Sequence, residues 1–398
     1  MTNEKKVKAG SGTPEQLLEA LPGYAKKLKD AREIFLANVV MFGEIPGPTF
    51  RETRRTQFLL DRFHESDLHD VAMDESGNAS AILPGTQRSN VILVTAHADT
   101  VFEEDSHPAM LVGQDSITGP GIADNSLGLA TVASLPMLLE LLDIQLADDL
   151  LLVGTTKSLG RGNLEGMKHF LSTRRAPIRM GVCVEGAEQG RLSYSGLGML
   201  RGEILLKTPA DYDWNRFGAS GAIGHLARLV NSIMEIPIPR EPKTRIAFGS
   251  LRCGSSYDTI PRRGALRFEI RSEEDAMLAD LEGKLKDIID EFSLQHGAEL
   301  TMEIIARGNN CGIPFSHPLV KITRQIMDTL EINPIVTPSA GDLSALIDVG
   351  NPGVTVGITQ VENSREENET ISIEPIFRGL AQLIGLLHAI DSGYCDES

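Results

Sequence analysis

Residues 90–102, NVILVTAHADTVF, decide the fold of this chain. The run 90–96 is nearly continuously apolar and rich in β-branched residues, which predicts a strand buried on both faces. Similar runs follow at 150–155, 181–184 and 353–358. Helical patterns lie among these strands, at 126–142, 164–171, 317–330 and 375–390, after two N-terminal helices at 15–41 and 51–64. This alternation predicts an α/β domain with a large, mostly parallel sheet covered by helices.

The middle of the chain has a different texture. Strand, helix, two strands, helix and strand are predicted in that order, at 199–206, 219–236, 245–253, 265–271, 273–295 and 299–306. The βαββαβ order is that of a ferredoxin-like α+β domain. We therefore expect residues 197–309 to form an inserted domain. The α/β domain would comprise residues 1–196 and 310–398, with 1–14 as a flexible tail.

Composition excludes several classes of partner. The 398-residue chain has a formal net charge of −17, which opposes binding to nucleic acid and to anionic membranes. No stretch is expected to reach the ~18 apolar residues of a membrane span, and the polar start shows no secretory signal.

The four cysteines are scattered and form no C-x-x-C pair. They favour free thiols, and hence a cytoplasmic location.

Polar side chains follow the buried strands where ligands bind in open α/β sheets, beyond the carboxyl ends of the strands. His97 and Asp99 follow the first strand, Asp124 lies in the loop before the next helix, and Glu185 follows the strand 181–184. An imidazole with carboxylates is a zinc ligand set, and Asp99 is placed to orient the imidazole. The alternative is purely structural, with Asp124 as a helix N-cap and the others as strand-end polar residues.

Two stretches, VTAHADTVF (94–102) and GPGIADNSLGLA (119–130), resemble the paired metal motifs of one family of hydrolases. This is the co-catalytic zinc family of aminoacylases, acetylornithine deacetylases and glutamate carboxypeptidases. The blocks IPGPTFRE (45–52), GNLEGMKHF (162–170) and SAGDLSALIDVGNPGVTVGIT (339–359) resemble its other signatures, in its order. The resemblance implies a zinc-exopeptidase-like large domain. It also implies an inserted lid or dimerisation domain and a homodimer.

The resemblance also implies a chemistry. Two zinc ions share a bridging aspartate, and a glutamate acts as general base in amide hydrolysis. Carried onto this chain, His97, Asp124 (the bridge) and Glu185 match the ligands of one zinc, with Asp99 orienting His97. Four further positions fall at substrate-binding sites of the family: Arg271 and Asp342 fall on family-like positions, whereas Tyr212 replaces a lid histidine and Asp258 replaces a lid asparagine.

The departures from the family pattern concern the second zinc and the base. The general-base glutamate falls on Ser158, its neighbouring ligand glutamate falls on Leu159, and the last histidine ligand falls on Arg365. Leucine cannot bind a metal ion. An arginine repels a dication and pairs with carboxylates, so we expect Arg365 to pair with Asp124, with Lys157 as a second candidate counter-charge. The alternative is that Arg365 points into solvent.

These substitutions leave three functional hypotheses. The first is a divergent homologue that binds a small carboxylate-bearing or N-acyl ligand, has lost or strongly altered hydrolysis, and holds at most one zinc ion. The second is an active mono-zinc hydrolase of a small N-acyl, peptide or ester substrate, with Glu188 or His107 as a substitute base. The third is an ordinary two-zinc peptidase whose ligands lie elsewhere in the sequence.

Overall fold

The computed structural model describes residues 7–8, 12–103, 109–174, 176–209 and 221–397. Two compact units make up the chain: Met1–Gly196 with Gly312–Ser398, and Leu197–Cys311. The helices, in chain order, are α1 (Pro14–Leu28), α2 (Arg32–Gly43), α3 (Thr53–Glu65), α4 (Leu127–Leu141), α5 (Glu165–Thr173), α6 (Gly221–Met234), α7 (Asp275–His296), α8 (Pro318–Thr329), α9 (Asp342–Asp348) and α10 (Ile376–Asp391).

The strands vary from two to ten residues in length. In chain order they are β1 (Val7–Lys8), β2 (His69–Met73), β3 (Ala79–Leu83), β4 (Val91–His97), β5 (Leu111–Val112), β6 (Ser116–Thr118), β7 (Ile144–Gln145), β8 (Asp149–Thr155), β9 (Met180–Glu185), β10 (Arg191–Ser193), β11 (Ser195–Gly196), β12 (Gly198–Lys207), β13 (Thr244–Cys253), β14 (Arg263–Ser272), β15 (Glu299–Gly308), β16 (Cys311–Gly312), β17 (Ile335–Val336), β18 (Gly353–Gly357), β19 (Val361–Glu362) and β20 (Thr370–Ser372).

The first unit is built on an eight-stranded sheet in the order β17-β10-β18-β9-β4-β8-β3-β2. Its four central strands, β18, β9, β4 and β8, are mutually parallel. Neighbouring residues of β4 are buried on opposite faces of the sheet. Val94 belongs to the apolar core formed with helices α1, α2, α4, α8 and α10. Leu93 belongs to the core formed with α5 and α9. This double burial explains the unbroken apolar run 90–96. The predicted α/β class and mostly parallel sheet are confirmed.

The second unit contains a four-stranded antiparallel sheet in the order β13-β14-β12-β15. The order and the interleaved helices α6 and α7 are those of the ferredoxin-like fold predicted from the sequence. Alternate residues of the two central strands, among them Leu200, Ile204, Leu266 and Phe268, are buried with apolar side chains of both helices. One face of this sheet therefore forms the core of the unit.

Two sequence expectations were wrong in detail. The single helix predicted over 15–41 is two helices, α1 and α2, joined by a 3₁₀ turn at Lys29–Ala31. The turn escaped notice because Leu28, Ala31 and Phe35 are all buried, so the apolar period continues across it. The stretch Ile122–Leu141 is long and apolar enough to cross a membrane by length and composition alone, contrary to expectation. It is 89% buried inside the protein, as befits a core helix.

The contact between α10 and the end of β18 gives a stability prediction. A β-carbon on Gly379 of α10 would lie 2.0 Å from the carbonyl oxygen of Ile358, so Gly379→Ala forces the helix away from the sheet. We expect a loss of about 1–3 kcal/mol in the free energy of unfolding, measured by urea denaturation. Gly23→Ala in α1 is the matched control, because no atom lies within 4 Å of its β-carbon. It should gain about 0.5–1 kcal/mol. Equal effects of the two variants would contradict this account of the packing.

Candidate metal centre

Three ligand-type side chains meet at one edge of the large sheet. His97 ends β4, Glu185 ends the adjacent parallel strand β9, and Asp124 lies in the loop that leads into α4. His97 Nε2 lies 2.9 Å from Asp124 Oδ1 and 3.7 Å from Glu185 Oε2, and the three ligand atoms all lie within 4.8 Å of one another. Two ligands of a tetrahedral zinc ion, each ~2.1 Å from the metal, are roughly 3.4 Å apart. The geometry therefore fits one zinc ion.

The second nitrogen of His97 is fixed by the residue that the sequence singled out. His97 Nδ1 lies 2.9 Å from the backbone carbonyl oxygen of Asp99 and 3.4 Å from its carboxylate Oδ1. Asp99 is fully buried, and its Oδ2 accepts hydrogen bonds from Thr49 Oγ1 at 2.9 Å and from the backbone N–H of Leu159 at 2.7 Å. The proton of the neutral imidazole is thus held at Nδ1, and Nε2 faces Asp124.

His97 and Asp124 form a hydrogen-bonded ion pair when no metal ion lies between them. Burial opposes protonation of His97, but hydrogen bonds with Asp124, Asp99 and Glu185 outweigh it and raise the pKa of His97 well above its ordinary value. Burial likewise favours the neutral form of Asp124, but His97 and Arg365 hold the pKa of that carboxyl far below its ordinary value. Without metal, Asp124 is therefore an anion with cationic partners on both sides.

Arg365 reaches the same aspartate from the opposite side. Its Nε donates a hydrogen bond to Asp124 Oδ2 at 3.0 Å, although 62% of the side chain is exposed and only 12% of that of Asp124. Asp124 raises the pKa of Arg365. The guanidinium therefore forms the ion pair expected from the sequence. Lys157 does not take part, because its Nζ lies 2.8 Å from Glu165 Oε1 and is paired with that carboxylate.

Sheet pairing brings the two loops of this ion pair together. Strand β20 pairs with β6, so the loop 363–369 that carries Arg365 lies beside the loop 119–125 that carries Asp124. Glu369 joins them: its Oε2 accepts from the backbone N–H groups of Ala123 at 2.8 Å and Asp124 at 3.3 Å, and its Oε1 accepts from that of Arg365 at 2.9 Å. Glu369 is fully buried, and burial raises its pKa.

Sequence reasoning missed Glu369. It lies in the polar run NSREENET (363–370), and nothing in that run distinguishes its one buried carboxylate from its exposed neighbours. The signal appears only through the strand pairing that brings the two loops side by side.

Ser158, which the motif resemblance places at the general-base position, is buried and lies next to Asp342. Its Oγ donates to Asp342 Oδ1 at 3.3 Å, and Thr155 Oγ1 donates to Asp342 Oδ2 at 2.5 Å. Burial is the main cause that raises the pKa of Asp342 to about 6. Ser158 and Asp342 thus form a hydrogen-bonded pair. Leu159 contributes a backbone N–H to Asp99, and its side chain offers no ligand atom.

Asp258 and Arg271 belong to the second unit, where Asp258 accepts from Ser256 and Arg271 donates to Glu269. Tyr212 and His107 lie outside the described residues. Of the two substitute bases, Glu188 is half-exposed and lies 3.5 Å from Arg191.

Comparison with known proteins bears on the class of this fold. The chain is similar to a tripeptidase from Staphylococcus aureus, with 18% identity, a TM-score of 0.72 and coverage of 90% of this chain and 98% of that one. It is also similar to the di-peptidase Dug1p from Saccharomyces cerevisiae, with 12% identity, a TM-score of 0.77 and coverage of 94% and 98%. A third similar structure, the YXEP protein of Bacillus subtilis, is described as a dinuclear metal binding peptidase. It shows 13% identity, a TM-score of 0.61 and coverage of 91% and 99%.

The fold is therefore that of these peptidases. Residues 215–296 match the family model described as the peptidase dimerisation domain of the M-twenty family. A comparison with curated protein sequences gives no match. The chain has the fold of the M-twenty peptidases and carries their dimerisation domain, which confirms the resemblance drawn from the sequence motifs.

The burial of Asp342 generates a pH prediction. Because its pKa is about 6 in the folded protein and ~3.9 when unfolded, the folded state loses stability as the pH rises through 6. Asp342→Asn removes this titration and can still accept the hydrogen bond from Thr155. With a chelator present, the free energy of unfolding of the variant minus that of the parent should therefore rise by about 2 kcal/mol between pH 4 and pH 7.5. A difference that stays constant across this range would show that Asp342 has an ordinary pKa.

Proposed function

We propose that this protein is a divergent homologue of the peptidases and deacylases that share its fold. It binds at most one zinc ion, and a small carboxylate-bearing or N-acyl ligand, and its amide hydrolysis is lost or strongly reduced. The observation that carries this proposal is the arrangement around Asp124. One carboxylate oxygen faces His97 at 2.9 Å, and the other accepts from Arg365 at 3.0 Å.

In a binuclear centre the bridging aspartate gives one oxygen to each metal. Here the second oxygen already has a cationic partner, and that partner is an arginine, which stays protonated at any pH a protein tolerates. A divalent ion at the second position would lie against this positive charge. The residue aligned with its other ligand, Leu159, has no donor atom. Both losses concern the same metal, which supports a centre of one ion at most.

The loss of the general base points in the same direction. A positioned base contributes about 10²–10⁴-fold to proton-transfer catalysis. The hydroxyl of Ser158 is no substitute at neutral pH, and it is already hydrogen-bonded to Asp342. Loss of the charge of one metal ion raises the barrier by several kcal/mol more. Hydrolysis of an unactivated amide should therefore be very slow.

The residues that remain would still hold a zinc ion. His97, Asp124 and Glu185 would be its ligands, with Asp99 fixing the ring of His97. When bound, zinc supplies a Lewis acid that polarises a carbonyl group and acidifies water. This intact set of ligands favours a second candidate function, a mono-zinc hydrolase of a small N-acyl, peptide or ester substrate.

The dimerisation-domain match bears on the assembly of the protein, and its cysteines bear on its location. The match of residues 215–296 to a peptidase dimerisation domain supports a homodimer. The four cysteines are free thiols, and two of them, Cys183 and Cys395, are buried, which supports a reducing, cytoplasmic environment. The acidic surface is unsuited to nucleic acid.

Metal content and turnover separate the hypotheses. We expect at most one zinc ion per chain by elemental analysis after saturation and gel filtration, with no turnover of dipeptides or N-acyl amino acids. One zinc ion with turnover, of esters in particular, would establish the mono-zinc hydrolase. Two zinc ions per chain with peptide turnover would overturn the proposal, because both substituted ligand positions would then be irrelevant.

Restoring the missing groups should restore the second metal site. The triple variant Ser158→Glu, Leu159→Glu and Arg365→His returns the base, the ligand and the histidine to the positions where the motifs place them. Zinc content should rise to about two ions per chain, since the repelling cation is replaced by a ligand. Arg161→His, a few residues along the same loop, is the control and should leave zinc content unchanged. A triple variant that binds no more zinc than the parent would refute the placement of the lost ligands.

A further inference from the structure

Arg55, in the first turn of α3, is a buried charged residue that is not among the candidate metal ligands. Its side chain is 1% exposed and is the largest of the fully buried side chains among the described residues. A buried charge is costly unless other charges compensate it. Its Nε is buried without a hydrogen-bond partner in the described part of the chain. Hydrogen bonding alone therefore does not account for this guanidinium.

Arg55 contacts the loops that carry two residues of the candidate metal centre. One terminal nitrogen donates to Ser126 Oγ at 2.5 Å, and Ser126 Oγ donates to the carbonyl of Gly121 at 2.6 Å. Gly121 and Ser126 flank Asp124 in its loop. On the other side, the Cδ atom of Arg55 packs so closely against Gly47 that a β-carbon there would lie 2.3 Å from it and 3.0 Å from the carbonyl of Ala98. Arg55 thus lies between the loops that carry Asp99 and Asp124.

The carboxylates around Arg55 account for its charge. Burial lowers the pKa of Arg55 to about 10, opposed by its interactions with Asp99, Asp124 and Glu52. The guanidinium is therefore cationic at neutral pH. Glu52, one turn earlier, accepts hydrogen bonds from the backbone N–H groups of Phe50 and Lys157 and does not neutralise Arg55 by direct pairing in the described structure.

We propose that Arg55 is a built-in cation of this centre, which partly neutralises Asp99 and Asp124 and so weakens the binding of a divalent metal ion at His97, Asp124 and Glu185. This proposal rests on the proposed mono-metal site. Asp124 then has two positively charged arginines near it at neutral pH, Arg365 by direct hydrogen bond and Arg55 through the loop that ends at Ser126. A cation near a metal site lowers the affinity for a dication through direct repulsion, and burial strengthens that repulsion.

The sign of the effect distinguishes this role from a structural one. If Arg55 only held the loops in place, its removal would misplace the ligands and weaken metal binding. If it acts through its charge, an uncharged side chain of similar volume strengthens metal binding. Methionine keeps much of the arginine side-chain volume without its charge, so Arg55→Met is the first variant, although the removal of one member of a buried charged group destabilises the fold. Arg55→Gln is a second, should the methionine variant fail to fold.

The experiment measures the zinc dissociation constant of the full-length chain by competition with a chelating indicator at neutral pH, with zinc alone as the probe. We expect Arg55→Met to bind the first zinc ion about tenfold or more tightly than the parent. Ser126→Ala removes the hydrogen bond to the loop but keeps the charge, and should stay within about threefold of the parent. Arg62→Met, two turns along the same helix, is the control for loss of a positive charge elsewhere.

Unchanged or weaker zinc binding by Arg55→Met, or by Arg55→Gln if only that variant folds, would overturn the proposal. So would a Ser126→Ala variant that matches the gain of Arg55→Met, because the loop and not the charge would then set the affinity. These outcomes are separate from failure of the proposed function, which is read from the number of zinc ions and the turnover of the parent chain. The affinity comparison concerns the first ion only.

Discussion

The two oxygen atoms of Asp124 are the constraint on which the chemistry of this protein depends. A carboxylate can bridge two cations, and the nature of those cations decides what the site can do. Here one oxygen faces an imidazole that can serve a metal, and the other faces the guanidinium of Arg365. Because a guanidinium has fixed charge, fixed geometry and no vacant coordination position, it satisfies the aspartate without providing a Lewis acid.

The fold around this aspartate is that of the M-twenty peptidases. The parallel strands end at one edge, the ring of His97 is oriented by Asp99, and Glu185 is in place. Drift that followed a complete loss of function would not preserve a set of ligand atoms within 4.8 Å of one another. The retained ligand set agrees with the proposed function, in which metal or ligand binding persists without fast amide hydrolysis.

The sequence predicted the fold well because each level of the pattern agreed with the next. The double-faced burial of β4 produced an unbroken apolar run, and the ferredoxin-like order of the second unit followed from the sequence of strands and helices. The break between α1 and α2 was missed because burial continues through the 3₁₀ turn. The spacing of apolar residues shows which face of a helix is buried, but it does not reveal a turn across which the same face stays buried.

The site was predictable where it rests on strand ends, and not where it rests on tertiary pairing. His97, Asp99 and Glu185 directly follow or end buried strands, so topology alone places them together. The contact of Arg365 with Asp124 was reached through motif resemblance, but Glu369 and Arg55 were not, since each is a charged residue in a polar stretch. Their burial depends on loops and helices distant in sequence, such as the pairing of β20 with β6.

Glu369 gives this arrangement a mechanical consequence. Its single carboxylate accepts hydrogen bonds from backbone amides of both the 119–125 loop and the 363–369 loop, so a movement of one loop requires a movement of the other. A displacement of the 363–369 loop is therefore transmitted to Asp124, and a ligand bound to Asp124 restrains the 363–369 loop in return. A ligand that contacts only the 363–369 loop would therefore also affect the position of Asp124.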